Sequence, residues 1–192
     1  TGVRWLENPG VSSPGFYSEW KSRIIGSNIK EPMFLAIYDL NGDGLDDILV
    51  PDLYKGLVLL EQAPDHSWTR HRIPYPGWAG PRGKSVAIAD MDLDGQPDIV
   101  LSFEEEGKVA RIPFDEYRKT GRYSVIGAKY QGSPFTGKWT FHRISDMKGR
   151  KFDLVNLVDM DGDGDPDVLT NDENEEDTGL GVIWYENPAV NP

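Results

Sequence analysis

DLNGDGLDD (residues 39–47), DMDLDGQPD (residues 90–98) and DMDGDGDPD (residues 159–167) are three copies of one nine-residue pattern. Each has an oxygen-bearing side chain at positions 1, 3, 5 and 9 and a glycine at position 6. That is the layout of a tight loop wrapped around a hard cation, with the glycine turning the following carbonyl inward. The first copy offers Asp39, Asn41, Asp43 and Asp47 with the Leu45 carbonyl. The second offers Asp90, Asp92, Asp94 and Asp98 with the Gln96 carbonyl, and the third Asp159, Asp161, Asp163 and Asp167 with the Asp165 carbonyl. Calcium is the natural occupant of all three. Magnesium, the alternative, prefers a small octahedral and partly hydrated shell and is seldom given an all-protein cage.

An EF-hand shares the first half of this pattern but needs a glutamate at position 12 and a helix on either side. Position 12 here is Val50, Leu101 and Thr170. The flanks FLAIY, SVAIA and LVNLV before the loops, and DILV, DIVL and DVLT after them, are short, rich in β-branched residues and bounded by turn residues. They read as strands, so each repeat is a hairpin with a cation at its tip.

In these loops and their strand flanks the chain resembles the calcium-loop repeats called FG-GAP or VCBS repeats, found in integrin α-chain heads, fungal propeller lectins and secreted bacterial proteins. The resemblance implies an all-β fold of β-propeller blades and three Ca2+ sites. It says little about activity.

The strings between the loops extend the hairpins. GVRWLENP at the start recurs as GVIWYENP after the third loop, with GLVLLEQA after the first and a weaker GKVARIP after the second, each a third strand. EWKSRII, SWTRHRI and KWTFHRI supply tryptophan-led fourth strands. Four-stranded antiparallel units repeated at about 50 residues read as propeller blades. The chain then divides into the end of a preceding blade (1–26), a blade (32–74), a blade with an insertion at 113–138 (84–145), and a last blade (151–188), all in one segment of 192 residues. The loops are 51 and then 69 residues apart, which is what calls for the insertion. A propeller generally closes with four to eight blades. These three to four are therefore expected to be a partial ring, the C-terminal part of a larger propeller of seven blades or a short chain that closes by self-association.

The formal charge is −12, but 13 of the 32 acidic residues lie in the three loops, so three Ca2+ would leave about −6. No basic stripe is present, which argues against a nucleic-acid partner. No apolar run is long enough for membrane insertion as a helix. Two carboxylates about 5 Å apart repel by about 3 kcal/mol at an effective dielectric near 20, so loops this acidic need their ion in order to close.

No zinc spacing, nucleophile motif or phosphate loop occurs, and no catalytic residue is assigned. Repetition of Trp20, Trp68 and Trp139, and of His71 and His142, fits packing, since a catalytic site is one convergent geometry. Two regions stand outside the repeat logic. On the face opposite the acidic loops, Tyr75, Trp78, Arg82 and Lys84 sit on one connection and Arg150 and Lys151 on the next, a set that suits an acidic glycan. The bland alternative is a set of solvated turns. The basic, aromatic insertion, with Arg122 and Lys129 among its cations, either clamps a neighbouring domain or lies across a blade edge.

These observations lead to a calcium-stabilised binding module for carbohydrate or protein, placed outside the cell, in a periplasm or at a surface, where calcium is plentiful. Two alternatives stay open. The resemblance admits the propeller of a polysaccharide lyase or sugar dehydratase working by β-elimination, for which Tyr75 beside Arg82 is the pair to test. The other is a structural spacer.

Overall fold

The computed structural model describes residues 2–105, 116, 118–146, 149–173 and 179–190. Among them, thirteen strands form four antiparallel sheets. The first pairs β1 (Gly2–Glu7) with β2 (Lys21–Ser27). The second runs in sequence order through β3 (Ala36–Tyr38), β4 (Asp47–Asp52), β5 (Gly56–Gln62) and β6 (Trp68–Ile73). The third does the same through β7 (Arg82–Ala89), β8 (Asp98–Glu104), β9 (Val125–Gln131) and β10 (Lys138–Arg143). The last holds β11 (Phe152–Val158), β12 (Asp167–Asp172) and β13 (Gly181–Tyr185). Each strand pairs with its sequence neighbour, the meander of a propeller blade, and the described strands do not close into a ring.

The middle strands read as unbroken apolar runs because both of their faces are covered. Along β4 and β5, Leu49, Leu57 and Leu59 point into one cluster with Ile99, Leu101, Phe103 and Ile126 of the third sheet. The alternate residues Ile48, Val50, Val58 and Leu60 point the other way, into a cluster with Val3 and Ile29. The third sheet repeats the arrangement: Val100 and Val125 turn to Phe152, Val155 and Val168 of the last sheet. Strand periodicity of two therefore yields three stacked interfaces from four sheets. A polar clip reinforces the last of them. The buried hydroxyls of Ser85 and Ser102 are 2.8 Å apart; Ser102 donates to the Asp153 carbonyl at 2.7 Å, and Ser85 accepts from the Val155 N–H at 3.1 Å.

One expectation about the third blade fails. Its third strand is β9, taken from inside the segment 113–138 assigned to an insertion, while GKVARIP (107–113) lies outside the described residues. The physical reason is on both faces of β9. Val125, Ile126 and Ala128 are fully buried, and Gly127 leaves room for the His142 ring that lies across it, where a Cβ would come within 2.0 Å of Nε2. The tryptophan-led fourth strands do occur in three sheets, as β2, β6 and β10.

Candidate metal loops and the opposite face

The three acidic loops join β3 to β4, β7 to β8 and β11 to β12, at one end of their sheets, and share a single hydrogen-bond plan. The aspartate at position 1 is a clasp. Asp39 accepts the N–H groups of Gly42, Asp43 and Gly44; Asp90 those of Asp94 and Gly95; Asp159 those of Gly162 and Gly164, all at 2.7–3.1 Å. At position 5, Asp43, Asp94 and Asp163 each accept the N–H two residues on. The aspartates at position 9, Asp47, Asp98 and Asp167, open the second strand of each sheet and are buried. Each accepts the N–H of position 2, from Leu40, Met91 and Met160. The position-6 glycines Gly44, Gly95 and Gly164 have φ of +87°, +86° and +105°, a region side chains disfavour.

This plan brings carboxylates together. One oxygen each from Asp90, Asp92 and Asp98, and likewise from Asp159, Asp161 and Asp167, lie within 4.8 Å of one another, so both clusters can hold a metal ion. In the first loop Asn41 replaces one carboxylate, accepting from the Asp43 N–H and donating to Asp43 Oδ2 at 2.9 Å. Burial pushes the carboxyls of Asp47 and Asp98 above their usual range, a cost that a bound cation would remove. Asp98 Oδ1 and Asp165 Oδ1 are buried without a hydrogen bond. Asp165 Oδ2 meanwhile holds the Val190 N–H at 2.7 Å.

The second loop has a cation of its own. The Lys129 ammonium, from β9, contacts Asp92, lies 3.0 Å from Asp94 Oδ2 and is 3.6 Å from Asp98 Oδ1. Desolvation works against its charge, but the hydrogen bonds it donates to Asp92 and Asp94, with the Asp98 charge, outweigh it and lift the ammonium above the usual lysine range. The same hydrogen bond holds Asp94 below the usual carboxylate range. Beside this loop a cavity of about 720 Å³ runs between β10 and β13, lined by Lys129, His142, Arg143, Tyr185 and Glu186.

A scan against family models matches the FG-GAP-like repeat over residues 2–101, just over half of the chain. The chain belongs to the FG-GAP-like repeat family. No curated protein matches it. The FG-GAP-like match runs from β1 through the first two acidic loops to β8, and the third acidic loop repeats the same hydrogen-bond plan beyond it.

The face opposite the loops is a network of ion pairs. Tyr75 is turned inward: its hydroxyl donates to the Asp52 carbonyl at 3.1 Å, and its ring meets Phe103 edge-on at 4.8 Å. Burial, with the Asp52 charge second, lifts its phenol far above the usual tyrosine range. Arg82 pairs with Glu31 at 3.3 Å and Glu104 at 3.7 Å. Lys84 is buried between Glu104 (2.8 Å) and Asp153 (3.1 Å), and Lys151 pairs with Glu173 at 3.1 Å. Arg150 is buried, with its N–H on Asp172. Trp78 lies edge-on to Tyr123, and the Arg143 guanidinium covers both rings at 5.5 and 4.4 Å. Glu31, Arg82, Glu104, Lys84 and Asp153 thus form one alternating chain of charges that runs from the segment before β3, across β7 and β8, to β11.

Sequence reasoning overlooked two residues of this scaffold. Asp52 and Asp172 are buried where β4 and β12 end, each five residues past the last aspartate of its loop. Asp52 takes Arg72 at 3.1 Å; Asp172 takes the N–H groups of Arg150, Lys151 and Leu180 at 2.8–3.0 Å. Their equal offset from the loops was a visible signal. Of the repeated histidines, His71 pairs with Glu61 at 2.7 Å and stacks on Phe135, and His142 lies over Gly127.

Proposed function

We propose that the chain is a calcium-stabilised propeller module of an extracellular, periplasmic or cell-surface protein, and that it works by binding a protein partner. The observation that carries the metal reading is the repeated loop plan. Position 1 accepts backbone N–H groups in all three loops, and in the second and third loops it also brings a carboxylate oxygen within 4.8 Å of those of positions 3 and 9. An all-oxygen set on a backbone turned by glycine suits calcium, whose shell tolerates irregular geometry, better than magnesium. Millimolar calcium outside the cytosol favours that location for sites of modest affinity. No helix among the described residues is long and apolar enough to cross a membrane.

The partner reading rests on the two end sheets. Leu6 and Ile24 on the first, and Leu154, Val158, Val182 and Trp184 on the last, are exposed. Equivalent faces of the middle sheets are buried, so these faces suit further blades, a second copy, or another protein. An acidic glycan on the opposite face is less well supported, because Arg82, Lys84 and Lys151 are already neutralised by carboxylates and Tyr75 is turned inward. β-Elimination by Tyr75 would need a phenol that ionises easily, and burial acts against it.

Calcium titration by calorimetry, with light scattering with and without EGTA and a glycan array of the parent and Trp78→Ala, tests the reading. Calcium uptake, with association of the chain through its end faces, supports it. Absence of uptake overturns the metal, and acidic-glycan binding lost in Trp78→Ala restores the carbohydrate alternative.

A further inference from the structure

Sheet register makes Lys129 the odd member of a repeated position. One residue beyond the Ile48–Leu60, Ile99–Ala128 and Val168–Tyr185 pairs stand Glu61, Lys129 and Glu186, facing Asp47, Asp98 and Asp167. The first and third loops thus have a glutamate beside their buried aspartate, and the second has a lysine. The Lys129 ammonium engages three of the four carboxylates in its loop. No ion pair reaches the carboxylates of the other two loops among the described residues.

The next position shows that the geometry has adapted. Asp47 Oδ1 accepts the Gln62 N–H at 3.0 Å and Asp167 Oδ1 accepts the Asn187 N–H at 2.7 Å. The corresponding Asp98 Oδ1 takes no hydrogen bond and faces the ammonium instead. A buried carboxylate oxygen without a hydrogen bond is costly unless a cation stands in front of it, and here the chain supplies that cation itself.

We propose that Lys129 is a built-in counter-ion of the β7–β8 loop. It holds this loop closed without a metal, and a divalent ion must displace it to take Asp92, Asp94 and Asp98 together. The proposal rests on the reading of the loops as calcium sites. The chain then has two ordinary sites, in the β3–β4 and β11–β12 loops, and one weak site. A monovalent ammonium on a flexible stem neutralises only part of a four-carboxylate loop, so displacement is possible but opposed. An entering ion must displace three partly exposed ammonium–carboxylate contacts, which weakens the second site by about tenfold. The β3–β4 and β11–β12 loops therefore fill before the β7–β8 loop as the calcium concentration rises.

The test uses the full chain, with calcium as the probe, in native mass spectrometry and calorimetry, and with thermal melts in EGTA and in saturating calcium. The wild type should bind two ions and take a third about tenfold more weakly. Lys129→Gln and Lys129→Glu should raise the third site to match the others, while Lys129→Arg keeps it weak. In EGTA, Lys129→Gln should melt below the wild type, and in saturating calcium the two should converge. A merely structural lysine would lower both midpoints, which overturns the proposal. Three equal sites in the wild type, or a third site unmoved by Lys129→Gln, also overturn it. If no loop binds calcium, the metal reading has failed on its own. The EGTA melts then still decide the lysine: a lowered midpoint supports the counter-ion and an unchanged one refutes it.

Discussion

Chelation is the most direct perturbation, and its size follows from the loops. The buried aspartates Asp47, Asp98 and Asp167 each open a central strand, so an unneutralised loop loads its cost onto the strands that carry the core. If the two loops without an internal cation bind at about 10 μM in about 1 mM calcium, linkage contributes about 2.7 kcal/mol each, or about 5 kcal/mol together. The β7–β8 loop, already neutralised in part by Lys129, adds less. A chain of this size moves by about 2–4 °C per kcal/mol, so EGTA should lower the melting midpoint by about 10–20 °C. Circular dichroism melts in 1 mM calcium and in excess EGTA read the shift directly, with magnesium as the control. A midpoint that does not move, or that magnesium restores as well as calcium, refutes the argument.

Three other outcomes follow from single sites. Lys84→Met strips a buried ammonium from between Glu104 and Asp153 and should cost about 2–3 kcal/mol, less than a fully buried pair because Arg82 still covers Glu104; denaturant unfolding measures it. His142 is held below its ordinary value of 6.5, first by burial, with Lys129 acting the same way and Asp98 and Asp92 opposing. Its contribution is therefore complete above pH 6.5 and is lost as pH falls toward the lowered value. Melts in saturating calcium should drop over that window for the wild type and drop less for His142→Gln. Leu6→Glu combined with Val182→Glu should reduce concentration-dependent association measured by light scattering, with little change in the melt, because both side chains are exposed and like charges then oppose contact of the end faces.

The turns of the acidic loops and the blade order were legible because each rests on a strict local rule. Position 6 needs a positive φ, position 9 begins a strand, and short β-branched apolar runs bounded by turns, such as DILV and DIVL, read as strands covered on both faces. The third strand of the third blade was not legible for the opposite reason. VIGAKYQ carries Gly127 and Ala128 where a strand reader looks for bulk, and the need for those small residues comes from the His142 ring and the neighbouring sheet. The ion pairs of the cations on the opposite face were not legible, because their partners are remote in sequence. Lys84 looks free beside Tyr75 and Trp78, yet it is committed to Glu104 and Asp153, which only the stacking of β7 on β8 and β11 brings near. Lys129 hid in the same way: nothing local connects it with residues 92–98.

The register also bears on what covers the end sheets. GVRWLENP, GLVLLEQA and GVIWYENP align so that Leu6 corresponds to Leu60, Trp184 to Leu59 and Val182 to Leu57. The middle-sheet members of these pairs are at most 1% exposed, whereas Leu6, Trp184 and Val182 are 54%, 45% and 79% exposed. A large apolar side chain gains about 1.5–3 kcal/mol on going from exposed to fully buried; Leu6, Ile24, Leu154, Val158, Val182 and Trp184 start about half exposed, so together they represent about 5–9 kcal/mol as an upper bound. Bringing two free molecules together costs about 4–15 kcal/mol, which leaves little surplus for a dimer formed through these faces alone. A blade on the same polypeptide meets the face at millimolar effective concentration and avoids most of that cost. Free copies should therefore associate weakly, and the same faces should bind firmly only to a partner that is tethered or that brings contacts of its own.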